Sequence, residues 1–256
     1  MENSFSTNAM AAGYAAFRPP LHGRILERVK PHLPWPGKAS RAVDIGCGAG
    51  LSTRALKEVA DQCIGIDAAE TMLRGSAQAV PGADFVVGRA EALPVRDCCI
   101  DLITAAGSLN YVDLPNFFRE AARALVTGGW IVVYDFSPGR TFADAPGLDG
   151  WFLSFIDRYP WPPNEALELD PERLATIDPR IELRSHEYFA ISLMLTPAFY
   201  LEYMMTETNV SHALRGGVQE QEIRSWCSNT LRSAWGERPR EVLFRGYFAC
   251  LTPRDS

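Results

Sequence analysis

Between Arg41 and Phe136, short apolar runs alternate with stretches whose apolar positions recur every three to four residues. The first pattern suits buried strands and the second amphipathic helices, so the segment predicts a parallel sheet joined by crossover helices. The predicted strands are 41–45, 62–67, 83–87, 100–105 and 130–136, and the predicted helices are 51–60, 69–80 and 114–126. Thr127-Gly128-Gly129 closes the last helix, since glycine takes the left-handed conformation that ends one. After Phe136 the texture changes: residues 137–179 hold seven prolines and the aromatic group Trp151, Phe152, Phe155, Tyr159 and Trp161. A strand at 186–195, a helix from 197 to about 206, a break at Gly216-Gly217, a helix at 218–234 and a strand at 241–251 follow. Seven strands are thus predicted, with extra material between the fifth and sixth and between the sixth and seventh. Those insertions read as a cap.

Composition narrows the class. A chain of 256 residues suits one α/β domain with an elaboration. The net charge of -6 leaves no broad basic face to track phosphates, so nucleic acid is not the expected partner, whereas a small neutral or cationic molecule is compatible. No run approaches the roughly 20 apolar residues of a membrane span, and residues 1–10 lack the basic start and apolar run of a signal peptide. The expectation is a cytoplasmic protein with no membrane partner, monomeric or a homodimer. The six cysteines, Cys47, Cys63, Cys98, Cys99, Cys227 and Cys250, show no metal-ligand spacing, which predicts no metal and small hydrophobes in a reducing compartment.

The candidate chemistry starts where the first strand meets the first helix, the place where an open α/β sheet binds its ligand. There the chain reads Asp44-Ile45-Gly46-Cys47-Gly48-Ala49-Gly50, and glycines let the backbone turn tightly and approach a ligand. A dinucleotide fingerprint would want a small residue at position 51, which is Leu51, and Asp44 would repel a pyrophosphate. Asp67, ending the second strand, can accept both hydroxyls of a ribose in charge-assisted hydrogen bonds; it can also cap the helix that follows.

These residues, followed by Gly88-Arg89-Ala90-Glu91-Ala92-Leu93-Pro94 and Asp101-Leu102-Ile103, resemble the successive motifs of class I S-adenosylmethionine-dependent methyltransferases. The small-molecule members similar to the ubiquinone-biosynthesis and trans-aconitate enzymes are the nearest in pattern, and the resemblance covers about residues 14–136. It implies a Rossmann-like, seven-stranded, mostly parallel sheet with helices on both faces, an antiparallel last strand and a helical, aromatic cap. The implied division is N-terminal lid helices at 1–36, a cofactor-binding core at 37–137, a cap insertion at 138–183, and the last two strands at 184–256 with a helical cap insertion at about 196–239.

The resemblance also implies roles. S-adenosylmethionine is the cofactor and S-adenosylhomocysteine the product. Tyr14 and Arg18 belong to a lid over the methionine end; Asp44 lies beside the turn and suits the cationic amino-acid end; Gly46, Gly48 and Gly50 form the turn. Asp67 holds the ribose, Ala68 beside it is a further cofactor-binding position, Met72 packs on the adenine, and Arg89, Ala90 and Glu91 stand at the adenine edge. Arg89 replaces the usual acidic residue, so either Glu91 accepts from the exocyclic amine or the Arg89 guanidinium lies over the ring. Ala106 and Gly107 line the cofactor beneath the reactive methyl. Asn110-Tyr111 stands where relatives carry a histidine–aromatic pair; Asn110 has no useful pKa, and reads as a hydrogen bond to the acceptor or as a loop-former with Tyr111 in the core. Among the histidines, His22, His32 and His186 read as structural or exposed, while His212 is the weak candidate for a base. The cap aromatics suit an apolar or aromatic small-molecule acceptor, and equally one face of a short buried helix. The implied function is methyl transfer, O-methylation first; an NAD-type oxidoreductase and a non-catalytic cofactor-binding module are the alternatives.

Overall fold

Apolar runs of the first half pair side by side because each carries a ladder of backbone N–H and C=O groups that burial obliges it to satisfy. A computed structural model describes residues 17–163 and 166–254. The first half runs α1 (Leu21–Val29), β1 (Ala39–Ile45), α2 (Leu51–Leu56), β2 (Ala60–Asp67), α3 (Glu70–Leu73), α4 (Ser76–Ala79), β3 (Asp84–Val87), β4 (Ile100–Ala106), α5 (Leu114–Ala124) and β5 (Leu125–Phe136). The second runs β6 (Thr141–Phe142), α6 (Leu148–Arg158), α7 (Pro171–Ile177), β7 (Ile181–Leu195), α8 (Pro197–Met205), α9 (Thr208–Arg215), α10 (Glu220–Trp235) and β8 (Arg240–Pro253). The strands form one sheet in the order β3-β2-β1-β4-β5-β8-β6, with β7 also paired to β8. β1 to β5 are parallel, and β8 runs antiparallel to β5. This is a Rossmann-like mixed α/β sheet. Strand order reverses between β1 and β4, so the C-terminal ends of those strands bound the crevice where such sheets take ligands.

The described residues divide into two compact units. The sheet unit comprises 20–136, 166–189 and 246–254. Its core is built by helices with one apolar stripe. α5 buries Leu114, Phe117, Phe118, Ala121 and Ala124 against Ile103, Ile131 and Val133. Asp113 caps that helix by accepting from the Asn116 N–H, and the helix begins Leu114-Pro115, where a missing N–H costs nothing.

The second unit comprises 17–19, 137–163 and 190–245. Its interior is aromatic. Trp151, Phe152 and Phe155 share the buried face of α6, whose other face, with Leu153 and Asp157, is exposed. The Trp151 and Phe155 rings stack at 5.3 Å, Trp226 of α10 joins them, and the Trp151 indole N–H donates to Thr230 Oγ1 at 2.9 Å. Tyr200 of α8, fully buried, donates its hydroxyl to the Gly139 carbonyl at 2.6 Å.

Several expected elements change. The helix expected at 69–80 is two short pieces, α3 and α4, because Arg74 is extended and Gly75 sits at φ 86°. The helix expected at 114–126 stops at Ala124, and the chain enters β5 at Leu125 rather than at Trp130: the Ala124 carbonyl accepts from Cys99 N–H, and Leu125 pairs with Ile100. Thr127-Gly128-Gly129 therefore lies inside a strand with a register shift, not at a helix end. The sheet has eight strands rather than seven, since Thr141–Phe142 pairs with β8. α9 occupies what reads as a polar stretch, and α7 forms inside the proline-rich segment. Residues 166–183, expected with the cap, belong to the sheet unit. Among the described residues no helix is long and apolar enough to cross a membrane.

Candidate functional site

The glycine turn grows from the buried end of β1. Gly46, Gly48 and Gly50 all have positive φ, at 66°, 52° and 88°. The tightest approach is at Gly46, where an added Cβ would stand 2.3 Å from Ser108 Cβ. Ser108 in turn donates to the Ile45 carbonyl at 2.7 Å, so the loops after β1 and β4 are fastened together.

Asp44 lies beneath this turn. It is fully buried and accepts from Ser52 Oγ at 2.6 Å, Thr53 Oγ1 at 2.7 Å and Thr104 Oγ1 at 3.0 Å. Burial outweighs these three donors and pushes its carboxyl up to about 6. With its lone pairs turned to the hydroxyls, Asp44 braces β1, α2 and β4 instead of presenting charge beside the turn. That corrects the expectation that it meets a cationic group directly.

Asp67 has the opposite posture. Its carboxylate is only half-buried, and each oxygen accepts one backbone N–H: Gly48 at 2.9 Å and Ala69 at 2.8 Å. Two lone-pair directions stay available for a pair of hydroxyls. Ala68 beside it is exposed. Met72 is buried with its terminal methyl next to the turn, 3.3 Å from where a Gly48 Cβ would stand. The cradle a side chain would fill, the half-free carboxylate and the adjacent methionine fit a nucleoside: Asp67 would hold the ribose and Met72 would pack on the base.

At the expected adenine edge, Arg89 is largely exposed and pairs with Glu91 at 3.5 Å, so the guanidinium is turned toward its neighbour. Glu91 also accepts from Asp113 N–H at 3.2 Å, while Ala90 is buried. Ala106 ends β4 and Gly107 follows it, exposed, at φ 60°. Asn110 sits on a short turn at Leu109–Tyr111 and donates to the Leu167 carbonyl at 2.9 Å and to Asp135. It is a loop-former, but Tyr111 is 64% exposed, which corrects its expected place in the core.

Tyr14 lies outside the described residues. Arg18 belongs to the second unit, where it pairs with fully buried Glu207 at 3.0 Å, donates to the Thr206 carbonyl at 3.3 Å and lies over the Tyr203 ring. A buried carboxylate demands such a partner, which corrects the expectation that this arginine is held for the carboxylate of a cofactor. His212 sits on α9 in the same unit and lines an open cleft of about 360 Å³ with Arg158, Tyr159, Pro160, Val218 and Glu222. The other histidines are structural or exposed: His22 pairs with the Tyr134 hydroxyl at 2.9 Å, His32 packs edge-on to Phe248, and His186 stands 3.8 Å from Glu172. Among the described residues no group of His, Cys, Asp and Glu could hold a metal ion. Four cysteines are buried, as small hydrophobes would be; Cys98 is exposed and Cys99 half-buried.

One functional candidate escapes the sequence reading. Asp135 stands next to last in β5, much as Asp67 closes β2, an acidic residue at the end of an apolar run, and that parallel was the available signal.

Comparison with known proteins places this geometry. Residues 43–133 match the model of a methyltransferase domain. The chain is 31% identical over 163 residues to the ubiquinone/menaquinone biosynthesis C-methyltransferase UbiE of Acidiphilium cryptum, covering 60% of this chain and 59% of that one. It is 33% identical over 101 residues to the uncharacterized methyltransferase YcgJ of Bacillus subtilis, covering 37% and 40%. The chain thus spans about half the length of the curated relatives it matches. In fold it is similar to a protein named as a type II methyltransferase from Anaeromyxobacter dehalogenans, with a TM-score of 0.71, 24% identity and 92% and 97% coverage. It is also similar to the Haemonchus contortus phosphoethanolamine N-methyltransferase 2 solved with S-adenosyl-L-methionine, with a TM-score of 0.55, 15% identity and 97% and 58% coverage. Residues 43–133 are a methyltransferase domain of the class I type, whose cofactor is S-adenosylmethionine.

Proposed function

We propose that the protein transfers a methyl group from S-adenosylmethionine to a small-molecule acceptor, with oxygen the favoured acceptor atom. The observation that carries this reading is the half-free Asp67 carboxylate beside a turn whose three glycines all take positive φ, with Met72 against it. S-adenosylmethionine supplies an electrophilic methyl on its sulfonium sulfur. The residues of this chain bind and orient: Asp67 takes the ribose hydroxyls, the 46–50 backbone admits the amino-acid end, and Ala106 and Gly107 border the methyl. In-line displacement gains mainly from proximity and alignment, so neither a triad nor a metal is required. Among the relatives, UbiE is named as a C-methyltransferase and the Haemonchus contortus enzyme as an N-methyltransferase.

Titration calorimetry with S-adenosylhomocysteine and with NAD tests the cofactor, and binding of the first alone is expected. Binding of NAD alone would sink the reading. Incubation with radiolabelled methyl donor and a panel of phenols, alcohols, amines and carboxylates tests the transfer; label in an oxygen acceptor is expected.

A further inference from the structure

The C-terminal edge of the sheet unit carries a second strand-end carboxylate. β5 lies next to β4, on the far side of β4 from the glycine turn. Gly107 N–H donates to the Tyr134 carbonyl at 2.9 Å, which ties the loop after β4 to the end of β5. Asp135 follows at once. Its Oδ1 lies 2.9 Å from the point where a Cβ on Gly107 would stand, so glycine there leaves the carboxylate uncovered by a side chain.

The surroundings of Asp135 are sparse for a charged group. It accepts from Phe136 N–H at 2.7 Å and from the Asn110 amide, and Tyr247 lies near it. Among the described residues it makes no ion pair. Asn110 is itself anchored to the Leu167 carbonyl at 2.9 Å, which fixes the direction from which it donates. A mostly buried carboxylate with two neutral donors and no cation is costly to the fold, and sites of function are where such groups are kept. Burial holds its carboxyl above the usual carboxylate range, which makes it a better proton acceptor than a solvated aspartate.

We propose that Asp135 is the acceptor-facing carboxylate of the transfer site: it receives the O–H or N–H of the acceptor, takes its proton, and turns carboxylate acceptors away. This rests on the methyl-transfer reading above. The step balances within the two substrates and this side chain. A lone pair of the acceptor atom forms the new bond to the methyl carbon, and the carbon–sulfur bond breaks with its electrons left on sulfur. The acceptor proton passes to an Asp135 oxygen, and from there to solvent after product leaves. A negative charge in this position favours the sulfonium over the neutral thioether, repels an anionic acceptor, and has no such effect once neutralised.

The test is calorimetry of wild type and Asp135→Asn with S-adenosylmethionine and S-adenosylhomocysteine. Asparagine keeps the shape and removes the charge. The ratio of affinities for methionine compound over homocysteine compound is expected to fall roughly threefold to tenfold in D135N, with binding of the homocysteine compound nearly unchanged. Because the ratio is read within one variant, partial misfolding cancels from it. An unchanged ratio overturns the proposal. Binding of neither compound by wild type overturns the cofactor reading instead, and the two failures are told apart by the wild-type trace. With the labelled donor, a carboxylate acceptor methylated as fast by D135N as by wild type also overturns it.

Discussion

Asp44 and Asp67 share a side chain and a strand-end location, yet their partners give them different work. Asp44 is fully buried under three hydroxyls with its carboxyl raised to about 6, against 3.8 for the free side chain. A folded-state value above the unfolded one means the fold gains from protonation. That gain is present below pH 3.8 and lost as pH rises to about 6. The size is up to about 3 kcal/mol. Urea unfolding of wild type between pH 4 and 7 is therefore expected to show an Asp44 contribution that declines with pH, and Asp44→Asn to flatten that slope. Asp67→Ala is expected to weaken S-adenosylhomocysteine binding by about 1–3 kcal/mol, read by calorimetry, as for loss of hydrogen bonds to a charged acceptor. Both aspartates were visible in the sequence. What separates them was not, because Thr104 reaches Asp44 from 60 residues away and Gly48 reaches Asp67 from 19.

Elements with one apolar stripe were legible, and those stabilised by other means were not. α5 announces itself through Leu114, Phe117, Phe118 and Ala121 at helical spacing. α9 hides because its buried face is Asn209, Val210 and Ser211: the Asn209 amide donates to the Tyr159 carbonyl at 2.8 Å, so a polar group does what an apolar one usually signals. β6, two residues long, is too short to show any period. The break between α3 and α4 falls at Gly75, which has open space around it, so Gly75→Ala meets only the left-handed backbone cost. Thermal unfolding should show a loss of roughly 1–2 kcal/mol. Phe155→Ala in α6 removes a fully buried ring stacked on Trp151, and about 3–5 kcal/mol of destabilisation is expected in the same measurement.

At the scale of the whole molecule, the parallel sheet and its crevice were readable because they arise from consecutive segments. The partition into units was not. Residues 137–163 and 166–189 look alike along the chain, each containing prolines, but only the second joins the sheet unit. Membership in a unit depends on pairings far apart in sequence, such as Asn110 with Leu167. Occupancy of the proposed cofactor site should register globally. S-adenosylhomocysteine at 100 times its dissociation constant adds about 2.7 kcal/mol to the unfolding free energy. In a chain of this size that raises the melting temperature by roughly 5–10 °C, while NAD at the same concentration leaves it unmoved; scanning fluorimetry reads both.

The contact between Gly46 and Ser108 constrains more than geometry. A first step away from glycine at 46 collides with Ser108 and also meets a φ of 66°, while a step at 108 alone gives up the bond to the Ile45 carbonyl. The two positions form a ratchet in sequence space: position 46 cannot drift by itself, and a lineage that alters it must already have shrunk Ser108 at the cost of that bond. Ser108→Gly is therefore the permissive change that must come first, and Gly46→Ala should be less damaging on that background than on the native one.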